Sequence, residues 1–147
     1  MPAVRQAEVI WRGDLMSGSG VVSAGTSHLF EQLPVSWAAR TEDAGGKTSP
    51  EELIAAAHAS CFAMALSAGL SKAGVKPERL EVSAKVTFDN AGGAWKVVSS
   101  ALNVRGVVPG MDAAAFRQAA GDAKDNCPVS QALKGNVILS VEATLQG

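Results

Sequence analysis

Ser49-Pro50-Glu51-Glu52-Leu53-Ile54-Ala55-Ala56-Ala57-His58-Ala59-Ser60-Cys61-Phe62-Ala63-Met64-Ala65-Leu66 is the stretch that decides the fold. Ser49 is a natural helix N-cap, Pro50 suits the first helical position, and Glu52, three residues after Ser49, completes a capping box. Glu51 and Glu52 also suit the positive end of the helix dipole. From Ile54 to Ala73 there is no proline, and Gly74 offers a stop. The helix is apolar almost all round, so it must be buried on most sides. In a chain of 147 residues, that burial points to a second subunit as part of the cover.

Upstream, Gly-Ser punctuation and short apolar runs predict three or four strands, at roughly 4–11, 20–24, 27–31 and 35–39, with a loop at 44–47. Downstream, Leu80, Val82, Ala84, Val86 and Phe88 alternate with polar residues as one face of a strand. Asp89 to Gly93 reads as a hairpin turn, and 95–107 as the returning strand. Asp112 can cap a helix over 113–125. Pro128 disfavours helical geometry at Cys127 and so ends or bends that helix. A short helix at 129–133 and a last alternating strand at 137–145, with Val137, Leu139, Val141, Ala143 and Leu145 inward, complete the chain. Strands segregated from two main helices give an α+β class. No repeat, linker or low-complexity tract divides the sequence, so residues 1–147 read as one domain.

Composition removes several function classes. The chain is 47% hydrophobic and 18% charged with a net charge of −1, ordinary for a globular protein and without a field that would draw nucleic acid or anionic lipid. The first residues lack the apolar core of a signal peptide, and no apolar stretch approaches the roughly 20 residues of a membrane helix. The expected compartment is the cytoplasm, where a disulfide is transient rather than structural. Two cysteines and two histidines lack metal-finger spacing, so no metal site is expected. The glycines form no phosphate loop or dinucleotide fingerprint, and no cofactor is implied.

The candidate chemistry is therefore in the thiols. Cys61 is held by the rigid helix and Cys127 stands at the proline break. Cys61 is too deep in its helix to draw on that helix's N-terminus and needs a cation from elsewhere to ionise. Arg40 is the best candidate, since a guanidinium can hold a thiolate and a carboxylate together; Arg12 and Arg105 are substitutes. Glu51, Ile54, His58 and Cys61 lie near one helix face, yet ten residues put Glu51 about 15 Å from Cys61 along the axis. If both belong to one centre, Glu51 comes from a second subunit. Plainer readings stand beside these. A lone cysteine is usually a small hydrophobe, the two cysteines could be unrelated, Glu51 and Glu52 could serve only the helix start, and His58 could be a packed histidine.

The helix quoted above, together with Asn126-Cys127-Pro128-Val129-Ser130-Gln131-Ala132-Leu133, resembles the two cysteine motifs of the OsmC/Ohr family of osmotically inducible and organic hydroperoxide resistance proteins. Trp11-Arg12-Gly13-Asp14 and Val108-Pro109-Gly110-Met111-Asp112 extend the likeness nearly end to end. The late arginine in Ala39-Arg40-Thr41, together with His58, resembles the OsmC branch. The resemblance implies an OsmC-like fold with antiparallel sheets and two main helices. It implies an intertwined homodimer that buries the central helices and carries its sites at the interface. It further implies a cofactor-free thiol peroxidase served by a thiol reductant. Cys61 would attack the hydroperoxide, Cys127 would resolve the sulfenic acid as a disulfide, Arg40 would stabilise the thiolate, and Glu51 would orient Arg40. Phe62, Met64 and Met111 are the residues expected along an apolar approach. The alternative on the same fold is a redox-sensing or ligand-binding protein without turnover.

Overall fold

The computed structural model describes residues 1–146. The chain divides into two compact units, Met1–Leu53 and Ile54 onward.

In the first unit, β1 (Ala7–Arg12), β2 (Ser19–Ala24) and β3 (Leu33–Val35) form an antiparallel sheet in that order. Asp14 shapes the β1–β2 turn by accepting from the Ser17 backbone N–H and hydroxyl. Trp11 pairs with Gly20, where a Cβ would stand 2.7 Å from the indole, so the glycine makes room for the ring. Of the three or four strands expected here, one is absent and one is displaced. Residues 27–31 form the β2–β3 loop, because His28 and Gln32 take left-handed φ values of 55° and 53°, which interrupt any extended run. The strand expected at 35–39 stands earlier, as β3, and 37–39 turn instead into a short helix, α1 (Trp37–Thr41), because Ser36 caps it by accepting from the Ala39 N–H at 3.1 Å.

The long helix α2 (Pro50–Lys72) starts and stops where local chemistry dictates. Ser49 Oγ accepts from the Glu52 N–H at 3.1 Å. The reciprocal half of the expected capping box is replaced: Glu52 accepts from the Thr48 hydroxyl at 2.6 Å instead of reaching back to Ser49. At the other end Gly74 takes φ 79°, its N–H donates to Ser71 O, and the Val75 N–H donates to Leu70 O, which closes a Schellman motif. Contrary to expectation, α2 is long and apolar enough by length and composition to cross a membrane, with a mean hydropathy of 1.7 over 18 of its residues. Its buried residues nevertheless read as those of a core helix. His58, Phe62, Leu66 and Leu70 recur at about one-turn spacing and are fully buried. The opposite row, Ala56, Ser60, Met64 and Ala68, is exposed.

In the second unit β4 (Arg79–Ala91) and β5 (Ala94–Val107) form a long hairpin joined by Gly92-Gly93. Both glycines have positive φ, 69° and 87°, as a two-residue turn of this hand requires. The chain then enters α3 (Ala113–Asn126), capped by Asp112, and α4 (Pro128–Leu133) before β6 (Ile138–Leu145). The expectation of antiparallel sheets holds for the first unit and for β4–β5, but β6 runs parallel to β5. A parallel neighbour requires a crossover, which α3 and α4 supply. Phe62, Leu66 and Leu70 of α2, Leu102 and Val104 of β5, Phe116, Ala120 and Ala123 of α3, and Cys127 form the core.

The tightest point in that core is Gly106, where a Cβ would stand 2.5 Å from the buried Phe116 ring and 3.3 Å from Leu80. Gly106→Ala is expected to destabilise the fold by about 1–3 kcal/mol through overpacking. Urea denaturation checks this; an unchanged midpoint would show that the Phe116 ring moves freely aside.

Candidate active site

Cys127 is the last residue before Pro128, and its backbone takes φ −58°, ψ 124°, the extended geometry that a following proline favours. It closes α3 by donating its N–H to Ala123 O at 2.8 Å and opens α4 by accepting from the Gln131 N–H at 3.0 Å. That double role turns the side chain into the core, where Cys127 is fully buried. Cys61, partly buried on α2, packs against the same core. Both are free thiols, close enough that each alters the other's pKa.

The pair shares its charge unequally. Burial pushes the Cys61 thiol up; the Val129 N–H eases it, while the hydrogen bond and charge of Cys127 raise it further. Burial also works against a Cys127 thiolate. The Ser130 N–H, the Cys61 thiol, the Ser130 hydroxyl and the Val129 N–H together outweigh it, and the Cys127 pKa falls below the usual thiol value. These groups act on the sulfur without forming a regular side-chain helix cap. Within one chain Cys127 is thus the sulfur more ready to carry the negative charge.

His58, one turn before Cys61, is wholly buried. Its Nδ1 lies 2.6 Å from Ser100 Oγ of β5 and its Nε2 lies 2.8 Å from Ser130 Oγ of α4. Burial lowers its pKa, which favours the neutral imidazole. Sequence reading left His58 without a partner because the two serines are 42 and 72 positions away.

Arg40 and Glu51 belong to the first unit, and there they meet. Arg40 Nε lies 3.0 and 3.1 Å from the two Glu51 carboxylate oxygens, and Nη2 donates to Oε2 at 2.9 Å. The pair lies within one chain, with the Glu51 side chain only 8% exposed and Arg40 30% exposed. The guanidinium also stands 5.9 Å from the Trp37 ring centroid. Beside it opens a cavity of about 360 Å³ lined by Val9, Trp11, Val22, Val35, Trp37 and Leu53. This is the apolar hollow next to a cation that the sequence did not reveal. Of the residues expected to line an approach, Phe62 is locked in the core, Met111 packs against it, and Met64 is 72% exposed. Trp11 and Trp37 line the hollow. Among the described residues no group of three His, Cys, Asp or Glu side chains is placed to hold a metal.

A family model described as OsmC-like protein matches residues 42–142. The chain is 39% identical over 138 residues to peroxiredoxin OsmC of Escherichia coli, covering 94% of this chain and 95% of that one. It is 34% identical over 96 residues to the organic hydroperoxide resistance protein of Xanthomonas axonopodis pv. citri, covering 63% of this chain and 64% of that one. The solved structure of the organic hydroperoxide resistance protein OhrB of Bacillus subtilis superposes with a TM-score of 0.73 at 24% identity, over 95% of this chain and 98% of that one. The structure from Elizabethkingia anophelis described as an organic hydroperoxide resistance protein gives 0.75 at 22%, over 99% and 100%. With its α+β architecture and both cysteine motifs inside the matched segment, the chain belongs to the OsmC-like protein family.

Proposed function

We propose that this chain is a two-cysteine thiol peroxidase that reduces organic hydroperoxides, acting as a homodimer in a reducing compartment such as the cytoplasm. The observation that carries the reading is the meeting of its two cysteines: 66 positions apart in sequence, they are free thiols brought close to each other in the fold. The relatives named peroxiredoxin and organic hydroperoxide resistance protein supply the substrate class.

The partly exposed Cys61 is the thiol a small hydroperoxide can reach; Cys127 is closed off. The Cys61 thiolate attacks the terminal peroxide oxygen, an S–O bond forms, the O–O bond breaks, and the alkoxide leaves and takes up a proton. Cys127 then attacks the Cys61 sulfur; the S–S bond forms, the S–O bond breaks, and hydroxide leaves as water. A thiol reductant returns two electrons, and no cofactor takes part.

Because burial raises the Cys61 pKa, the first step needs a cation at the sulfur. The Arg40–Glu51 pair is suited to that task, with the apolar hollow beside it suited to the carbon tail. Glu51 and Cys61 are separated by about 15 Å of helix α2, so the pair of one protomer serves the thiols of the other. Two surfaces favour such a dimer. The edge strand β1 exposes Val9, Ile10 and Trp11, at 60%, 56% and 38%, and α2 exposes an apolar row through Met64.

Cys61→Ser is expected to abolish consumption of an alkyl hydroperoxide in the presence of a dithiol donor. Cys127→Ser is expected to accept one oxidising equivalent, yield a trappable sulfenic acid and form no intramolecular disulfide. Full activity in Cys61→Ser would end this reading. Arg40→Met should lower kcat/KM by about a hundredfold, the usual cost of losing a charge-stabilising group. Sedimentation of the active protein should give twice the 15.0 kDa chain mass; a fully active monomer would overturn the shared site.

A further inference from the structure

Ser100, His58 and Ser130 form a hydrogen-bonded buried line running from β5 through α2 to α4, and Ser130 stands three residues after the buried Cys127, whose pKa its N–H and hydroxyl lower. The three polar side chains are 0%, 0% and 1% exposed. None has water to fall back on, so the direction of each hydrogen bond constrains the next. A neutral imidazole has one donor nitrogen and one acceptor nitrogen, which leaves two arrangements. In the first, the Ser100 hydroxyl donates to Nδ1 and the Nε2–H donates to Ser130 Oγ; the Ser130 hydroxyl proton is then free to point at the Cys127 sulfur. In the second, Nδ1–H donates to Ser100 and the Ser130 hydroxyl donates to Nε2. Ser130 can then only accept from a protonated Cys127. The first suits a thiolate, the second a thiol.

We propose that His58 is a positioning residue for Cys127: through Ser130 it sets the direction of the hydrogen bond that reaches the sulfur, and its tautomer follows the ionisation of that thiol. The place of this device in catalysis rests on the peroxidase reading, where it prepares Cys127 to resolve the Cys61 sulfenic acid. Its physical core does not depend on that reading. The titratable group facing Cys127 is Cys61, and Lys124, Asp125 and Lys134 share a surface hollow with Ser130. Replacing Cys61 by serine therefore isolates the Cys127 titration while leaving those surface charges common to every variant.

The test has two arms. In the Cys61→Ser background, the pH at which Cys127 alkylation is half-maximal is expected to rise by about one unit on Ser130→Ala or His58→Leu. His58→Gln, which keeps an acceptor and an N–H donor on one group, should recover most of the shift. The chain holds only two histidines, so ¹⁵N-labelled His58 is readily assigned. Its Nε2 should become the protonated nitrogen as pH rises through the Cys127 titration. An alkylation profile unmoved by Ser130→Ala, or a tautomer indifferent to Cys127, would overturn the proposal. Neither readout moves if His58 merely fills space, and Ser130→Ala removes only one oxygen should His58→Leu fail to fold.

In the otherwise unsubstituted chain, stopped-flow oxidation with one equivalent of alkyl hydroperoxide separates sulfenic acid formation from disulfide formation. Ser130→Ala should slow the second step about tenfold, as one pKa unit removes that much thiolate near neutral pH, while the first, relieved of the Cys127 charge beside Cys61, is not slowed. Failure of the unsubstituted protein to consume peroxide would sink the function reading and leave the alkylation arm standing. Turnover with an unmoved alkylation profile would do the reverse.

Discussion

A 23-residue helix with no polar face needs cover, and the core of the second unit is built over one side of it. Burying Phe62, Leu66 and Leu70 stabilises the fold by about 1.5–3 kcal/mol for each side chain. They are met by β5 and α3 in one core. Because Phe62 must face that core, His58 one turn earlier faces it too, and Cys61 is left at its margin, partly exposed. The placement of the chemistry is thus a by-product of the packing: the helix cannot rotate to hide Cys61 or free His58 without withdrawing its large side chains from the core.

The second constraint is the proline at 128. It forces Cys127 out of helical geometry between α3 and α4, which allows one residue to close one helix, open the next and turn its sulfur inward. There the sulfur meets the N–H groups of Val129 and Ser130, donors freed by the start of a new helix. A Cys127 buried among apolar groups alone would be a poor thiolate; these donors reverse the direction of its pKa.

Features governed by adjacent residues were legible in the sequence. Ser49 and Asp112 as caps, Gly74 as a stop and Pro128 as a break all act within a few positions and are found where expected, and the hairpin turn expected over 89–93 is found narrowed to Gly92-Gly93. The misreadings near the N-terminus are also local. Ser36 was a cap signal followed by Trp37-Ala38-Ala39, and the left-handed residues His28 and Gln32 carry no glycine to announce them. What the sequence hid is long-range. The parallel pairing of β6, the serine partners of His58 and the apolar hollow beside Arg40 depend on elements brought together from distant segments. Spacing alone did separate Glu51 from Cys61, because helix rise is a fixed quantity. The charge order of the two thiols was not readable, since it turns on which one faces the backbone donors.

The unequal environment of the two thiols has a consequence for the return from the oxidised state. In thiol–disulfide exchange the incoming thiolate attacks one sulfur and expels the other, and expulsion is faster for the thiol of lower pKa. Cys61 is the sulfur open to attack and Cys127 is both inaccessible and the better leaving group. On the proposed mechanism a Cys61–Cys127 disulfide would be polarised in one sense: the mixed disulfide with any reductant would form on α2, and the departing charge would settle on Cys127, whose pKa its surroundings lower.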